Sequence, residues 1–440
     1  MRLSIRPGIT RVGNVQLHEM SSVSEMDAGG QDTSGDGTDN PPADQENIAI
    51  SPDSIKSVER DLAIVVPCMD EDITVLEGLL RGIPHSCCVI FISNSNQTNY
   101  KTECESLVKF GKIASRPVVV HHQGEATFAR AFQEAGMPEL LQTPGIGIPE
   151  GEEHFPRLNN GKGEAIILGV IIAKLVERKF VGFIDADNRI PGSVLEYCKV
   201  YAAGLHYALY HNKITGQDEH ATVRIKWKSK PKVRNGELVF EEFGRSSRVV
   251  NEWMNRLLKV LGGDATPETM IGTGNAGEHA MDVDLALKLR FATGYAVEPF
   301  QLIDLWERYG VSNDPSSRLM RILQIETCNP HIHSANRLTG HIPRMQVQGL
   351  STIYHSPLVP SRLRDELREY MRDNLASVVD STGQPAPLRI YRPLSSLDWR
   401  IFARVGSGKQ DSHKDKVGHL GSSEVVGDAD TANFTHCITL

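Results

Sequence analysis

The chain predicts an α/β protein built on a mainly parallel sheet, and three observations carry that reading. Apolar runs at 62–67 (LAIVVP), 87–93 (CCVIFIS) and 118–122 (VVVHH) are continuous rather than alternating, as strands covered on both faces should be. Segments of helical pattern and length alternate with them, a rhythm that lays successive strands side by side in one direction. The run FVGFI at 180–184 then stops abruptly at Asp185 and Asp187, spaced by Ala186. In parallel sheets ligands gather outside the carboxyl ends of strands, so an Asp-x-Asp there is placed to meet a ligand carrying a hard cation. Asp at i and i+2 is also common in strand-ending turns, and the motif alone leaves both readings open.

Bulk properties narrow the classes. With 40% hydrophobic and 23% charged residues, the 440-residue chain is neither disordered throughout nor dominated by membrane spans. Its longest apolar run, 166–176, is broken by Lys174 and falls short of the roughly 20 residues a membrane helix needs, so no membrane partner is expected. Arg2 and Arg6 have no apolar core behind them, and no secretory signal is expected. A net charge of −8 argues against nucleic acid as a general partner. Seven cysteines, an odd number without C-x-x-C spacing, predict reduced thiols, a cytoplasmic setting and no zinc site.

Taken in order, residues 1–20 form an N-terminal ordered segment with a short strand pattern at Val12, Val15 and Leu17. Residues 21–56 read as a disordered acidic insertion, without Lys or Arg until Lys56. After the strand at 62–67, a helix is expected at 73–81. Residues 143–163, rich in Gly, Pro and Glu, make a long loop that delivers Asn160-Gly161-Lys162-Gly163 to a helix at 164–178. Pro191 opens a further helix. In the strand at 221–232, Val223, Ile225 and Trp227 alternate with Arg224, Lys226 and Lys228, which reads as one apolar and one solvated basic face. Asn235-Gly236 signals a hairpin, and Gly244 to Arg248 precede an amphipathic helix at 249–261. Gly272, Gly274 and Gly277 lead to Glu278 and His279; helices are expected at 284–290, 302–309 and 345–354. Residues 405–440 read as a disordered tail.

Four places carry chemistry. Lys162, flanked by glycines at a helix entrance, lets an ammonium and backbone N–H groups approach phosphate or sugar oxygens together, although lysines there are often merely solvated. Ser246 or Ser247 can cap the next helix while Arg245 and Arg248 present guanidinium forks to an anion; a plain N-cap with surface arginines is the competing reading. His331 and His333 share a face if their segment is extended, and one of them can complete a metal site begun by carboxylates or serve the turn alone. Glu278 can hold substrate hydroxyls or cap a turn.

These pieces, together with VGNVQLHEM at 12–20, VVP at 65–67, ISNS at 92–95, GKGE at 161–164, VGFIDADN at 181–188, EYCKVYAAG at 196–204, NAGEHAM, QIETCNPHIH and LSTIYHS, resemble the mannosyl-3-phosphoglycerate synthases, a GT-A-fold glycosyltransferase family. The resemblance covers nearly all of residues 10–400. It implies a GT-A fold, with a mainly parallel Rossmann-like sheet whose 57–220 half binds a nucleotide sugar and whose 221–404 α/β half binds the acceptor. It implies transfer of mannose from GDP-mannose to the 2-hydroxyl of 3-phosphoglycerate, with retention and with Mg2+ or Mn2+ as cofactor. By resemblance, Pro67, Glu71, Ser93, Asn94 and Ser95 hold the guanosine side of the donor. Lys162, Asp185 and Asp187 face the diphosphate and sugar, Asp187 and His331 ligate the metal, and Glu278 touches the mannose. Arg245, Ser247, Asn275 and His333 hold phosphoglycerate. A homodimer is a further expectation.

The chain departs from the family pattern at Asp70, where the family reads Asn, and at Ser246 and Arg248, where it reads more like G-R-V-S-E. Both departures bear on affinity, the first for the base and the second for the acceptor. No assured nucleophile stands out, which favours front-face attack over a covalent intermediate. The rival readings are the same fold with another donor, forming glucosyl-3-phosphoglycerate, and a catalytically silent nucleotide-sugar-binding protein.

Overall fold

The structure, a computed structural model, describes residues 1–5, 9–23, 46–114, 116–142, 157–211, 219–234, 237–240, 244–263, 266–310, 319–332 and 341–406. One large sheet organises them. Phe180–Phe183, Leu62–Cys68, Cys88–Ser93 and Val118–His122 lie side by side in that order, all parallel. On the other flank of Phe180–Phe183 lies His279–Asp282, antiparallel to it and to the next strand, Glu219–Trp227. Leu319–Thr327 and Val15–Val23 follow, parallel to Glu219–Trp227, and antiparallel Arg2–Ile5 and Glu46–Ala49 finish that edge. The strands at 62–68, 88–93, 180–183, 219–227 and 319–327 therefore bring their carboxyl ends to one edge of the sheet. The reversed strand at 279–282 brings its amino end there.

Alternation along the strands supplies a core on each face. Ala63 and Val65 pack into one apolar layer with Cys88, Ile90, Ile92, Val181 and Phe183, while Leu62, Ile64 and Val66 pack into the other with Val89, Phe91 and Phe180. Both layers draw on residues before and after 220, so the expected donor and acceptor halves share one body. The apolar run at 166–176 is the buried helix Lys162–Leu175, apolar all round because it lies between the sheet and further helices. No helix among the described residues is long and apolar enough to cross a membrane. The six described cysteines are all free.

Several expectations need correcting. The predicted insertion at 21–56 is shorter than composition suggests: Val15–Val23 and Glu46–Ala49 are strands, and Pro52–Arg60 is a helix capped by the Ser51 side chain. Ile48, Ile50, Ile55 and Val58 are buried, which is the apolar surface that a disordered reading overlooks. Val405 and Gly406, expected in the tail, end helix Trp399–Gly406; the rest of the expected tail, 407–440, and residues 24–45 of the expected insertion lie outside the described residues. The basic face expected at 221–232 is solvated only in part: Lys228 is exposed and Lys226 half-buried, but Arg224 is not at the surface. The strand is paired on both sides, and Arg224 is fully buried, donating to the carbonyls of Thr273 and Glu298 and to Gln301.

Candidate active site

The site is assembled from strand ends. His279 pairs in register with both Phe183 and Arg224, so Asp185, Glu278 and the residues following Trp227 meet at the same sheet edge. Helix Lys162–Leu175 enters this edge through Gly161-Lys162-Gly163-Glu164. A Cβ on Gly163 would fall 2.2 Å from the Ala292 carbonyl oxygen, so the close approach to the 292–294 backbone requires glycine. Glu164 is buried and accepts hydrogen bonds from Thr293 Oγ1 at 2.5 Å and Tyr391 Oη at 2.6 Å. With the entrance locked, Lys162 Nζ lies 2.5 Å from Asp185 Oδ1 and 2.6 Å from Glu298 Oε1. Burial works against its charge, but the two carboxylates outweigh burial and hold the ammonium above its usual range.

Glu278 is the most unusual group. It is fully buried, and neither carboxylate oxygen has a hydrogen-bond partner among the described residues. Burial first, then the neighbouring Asp185, push its carboxyl up to about 8, with Lys162 and Lys230 pulling the other way. A buried polar group without a partner is costly, and one at a cleft edge is satisfied by a ligand hydroxyl. Gly277 permits this crowding: a Cβ there would lie 2.5 Å from Asp185 Oδ2.

Asp187 and His331, the expected metal ligands, lie on neighbouring segments at this edge. Both are buried, Asn188 Nδ2 lies 3.4 Å from His331 Nδ1, and Arg189 N donates to Ile332 O. Tyr197 Oη, 3.2 Å from the same Nδ1, and Trp227, stacked on the ring at 4.4 Å, fix its orientation. No group of three or more His, Cys, Asp or Glu side chains among the described residues converges as a ligand set. One carboxylate and one imidazole fit a divalent cation whose remaining ligands come from the substrate's oxygens and water. His333 lies outside the described residues.

Of the residues expected to hold the donor, Pro67 and Glu71 are half-buried beside Asp70, whose φ of 55° is one Asp tolerates. Asp70 Oδ1 accepts from Asn96 N, Asn96 Nδ2 and Asn99 Nδ2. An Asn offers the same oxygen, so the Asp70 departure preserves this turn. Ser93 and Ser95, expected on the guanosine side, are both buried, and each hydroxyl donates to Glu103 at 2.6 Å. They shape the loop, whereas Asn94 is half-buried and its side-chain amide donates to Asn160 Oδ1, ahead of Lys162.

On the acceptor side, Gly244, not Ser246 or Ser247, is the N-cap of helix Arg245–Gly262. Arg245 is exposed in the first turn and Ser247 is buried beside it. Asn275 Nδ2 donates to Ser246 Oγ, and its Oδ1 is buried without a partner among the described residues. Arg248 is exposed at the helix surface.

Sequence reasoning missed four groups. Glu298 sits alone in the apolar stretch AVEPFQLI, the kind of isolated buried acid that signals a specific partner. Glu103 had no local signal. Lys230 Nζ stands 4.2 Å over the Trp227 ring and 3.6 Å from the position of a Cβ on Gly244, near the acceptor helix. Arg224 supports the 273–274 carbonyls beneath Asn275. A separate open cavity of about 730 Å³, lined by Lys174, Arg178, His220 and Asp282 among others, lies at the opposite edge of the sheet.

A mostly parallel sheet with an acid-tipped central strand, a reversed strand beside it and a lysine-bearing helix entrance defines the class: an α/β glycosyltransferase of the GT-A type. Comparison with known proteins gives the family. The family model for mannosyl-3-phosphoglycerate synthase matches residues 6–405, and the chain belongs to that family. It is 32% identical over 403 residues to the mannosyl-3-phosphoglycerate synthase of Pyrococcus furiosus, covering 89% of this chain and 94% of the relative. It is 27% identical over 422 residues to the enzyme of that name from Aeropyrum pernix, covering 94% and 99%. Among solved structures, glucosyl-3-phosphoglycerate synthase from Mycobacterium tuberculosis, in complex with Mn2+, UDP-glucose and phosphoglyceric acid, is 19% identical with a TM-score of 0.45, covering 79% of this chain and 95% of that one.

Proposed function

We propose that this chain transfers mannose from GDP-mannose to the 2-hydroxyl of 3-phosphoglycerate with retention, giving mannosyl-3-phosphoglycerate and GDP. Besides family membership, one observation carries the reading: Lys162, Asp185 and the unpartnered Glu278 meet at the carboxyl edge of the sheet, between the donor loops and the helix start that bears Arg245.

Each residue then has a role. Asn94 and Glu71, with Pro67 beneath, line the guanosine side, and the Ser93–Ser95 backbone is held in shape by Glu103. Lys162 offers positive charge to the diphosphate as the glycosidic bond breaks, and Asp185 accepts from sugar hydroxyls. Asp187 and His331 would hold a magnesium or manganese ion, which supplies charge neutralisation at the leaving diphosphate. Arg245, whose planar fork suits a phosphate or carboxylate, takes the acceptor with Ser247 and Asn275; His333 belongs to the same proposal. Glu278, raised to about 8, is protonated near neutral pH and so is a poor nucleophile. It serves better as a hydrogen-bonding partner of the mannose, and the acceptor hydroxyl attacks from the face the diphosphate leaves. The setting proposed is cytoplasmic, with a homodimer as the assembly to be checked by light scattering.

The test is incubation of the purified protein with GDP-mannose, 3-phosphoglycerate and Mg2+ or Mn2+, with and without chelator, reading products by mass. The expected result is a chelator-sensitive mannosyl phosphoglycerate. A panel including GDP-glucose and UDP-glucose fixes the donor. Release of GDP and free mannose alone would overturn the acceptor assignment; donor binding without turnover would overturn the enzymatic one.

A further inference from the structure

We propose that Glu298 is a positioning residue for sugar transfer, acting through Lys162: it and Asp185 both grip the ammonium and aim it at the donor. The idea deepens the reading above and rests on it for its kinetic consequence, though not for its geometry.

Glu298 is 4% exposed, in the first turn of helix Val297–Leu305, and its Oε1 lies 2.6 Å from Lys162 Nζ. Burying a carboxylate is expensive unless it is paired, and a neutral or apolar residue at this position would spare that cost. Its acidity is useful because Lys162 is itself only 15% exposed, with Asp185 and Glu298 against its ammonium, and a single contact with the half-buried Asp185 leaves the lysine free to swing. Two carboxylates on one ammonium define a position.

The backbone of Glu298 is held as firmly as its side chain. Its carbonyl accepts from Arg224 Nη2 at 3.2 Å, and the same guanidinium donates to the carbonyls of Thr273 and Gly274. Thr293 and Gly294, a few residues earlier, donate to Glu164 in the helix that carries Lys162. Glu298 thus joins the lysine on the donor side to the 273–278 loop, which carries Asn275 and Glu278, through Arg224. When a diphosphate or sugar oxygen competes for Lys162, Asp185 is the partner expected to yield, because its side chain is 32% exposed against 5% for Glu298.

The experiment compares wild type, Glu298→Gln, Glu298→Asp, Lys162→Met and the Lys162→Met/Glu298→Gln double variant, each checked for folding by circular dichroism. One readout needs no substrate: labelling of Lys162 by acetic anhydride, quantified by mass spectrometry. Loss of the grip in Glu298→Gln should raise the labelling rate of Lys162 several-fold, with Glu298→Asp in between; a rate within twofold of wild type overturns the clamp. The second readout is steady-state kinetics. Glu298→Gln should lower kcat by about 10- to 100-fold with the acceptor KM nearly unchanged, and should add less than twofold in the Lys162→Met background. An undiminished effect in that background means a general structural role and overturns the proposal. If wild type transfers no mannose, the functional reading fails, while the labelling result still decides whether Glu298 holds Lys162.

Discussion

At the scale of single residues, the site is an arrangement of buried charges that are not all satisfied by the protein. The segments that carry Asp187 and His331 meet beyond the ends of two strands, and in the proposed function these two residues would hold a cation that neutralises the leaving diphosphate. Asp187→Ala should therefore lower turnover by about 100-fold or more while leaving the circular dichroism spectrum unchanged. Retained metal-dependent activity would remove Asp187 from the ligand set. Glu278 makes a different prediction. Between its ordinary value of 4.5 and about 8, the folded protein keeps a proton that the unfolded chain has released, so the folded state binds more protons and stability falls as pH rises through this window. Urea unfolding of the metal-free protein from pH 5 to 9 should show that fall, and Glu278→Gln, which cannot ionise, should flatten the slope by one proton. An unchanged slope would place the ionisation elsewhere. The motif residues were legible because their chemistry is local: Asp185 and Asp187 end an apolar run, and Lys162 stands between glycines. Glu298 and Glu103 were not, because their meaning lies in partners distant in sequence or hidden beneath a loop.

At the scale of elements, what matters is how loops are held at the sheet edge. The loop after Cys88–Ser93 is stiffened from below by Glu103, on helix Gln97–Ala114, which takes both serine hydroxyls and the Cys68 thiol. Glu103→Ala would leave two buried hydroxyl protons without an acceptor, costing about 1–3 kcal/mol, and would loosen the wall proposed for the guanosine side of the donor. The expected kinetic signature is a raised donor KM with the acceptor KM unchanged. Equal changes in both would mean that the loop serves the whole fold. The helix entrance at Gly161 shows the same logic from the opposite side. Its glycines are there for close backbone approach to the 292–294 segment, so a sequence feature that resembles a phosphate-binding loop is in the first place a packing device that sets the direction of one lysine. The helix start at Arg245 was misjudged in detail because two serines suggested a side-chain cap, whereas Gly244 precedes the helix and no side chain caps it.

At the scale of the molecule, the parallel wing from Val118–His122 to Phe180–Phe183 could be read from continuous apolar runs, since each strand there is followed closely by its crossover helix. The other half of the sheet could not. His279–Asp282 is four residues long and reversed, and Leu319–Thr327 inserts between strands that begin at residues 15 and 219, so the pairing that unites the site is non-local and leaves little periodic trace. That topology has a thermodynamic consequence. In the proposed function, where Asp187 and His331 hold the cation and the nucleotide's oxygens complete its coordination, metal ion and nucleotide should each complete the other's site, and coupling of this kind is reciprocal. Thermal unfolding should show small shifts with Mg2+ or GDP alone and a larger shift with both than the two sum to. At concentrations near 100 times the joint Kd the added stability should approach about 2.7 kcal/mol. Asp187→Ala should erase the excess while leaving the GDP-only shift in place. A full shift with Mg2+ alone would mean that the protein supplies a complete coordination set by itself, and the metal would then be a resident of the fold and not a companion of the nucleotide.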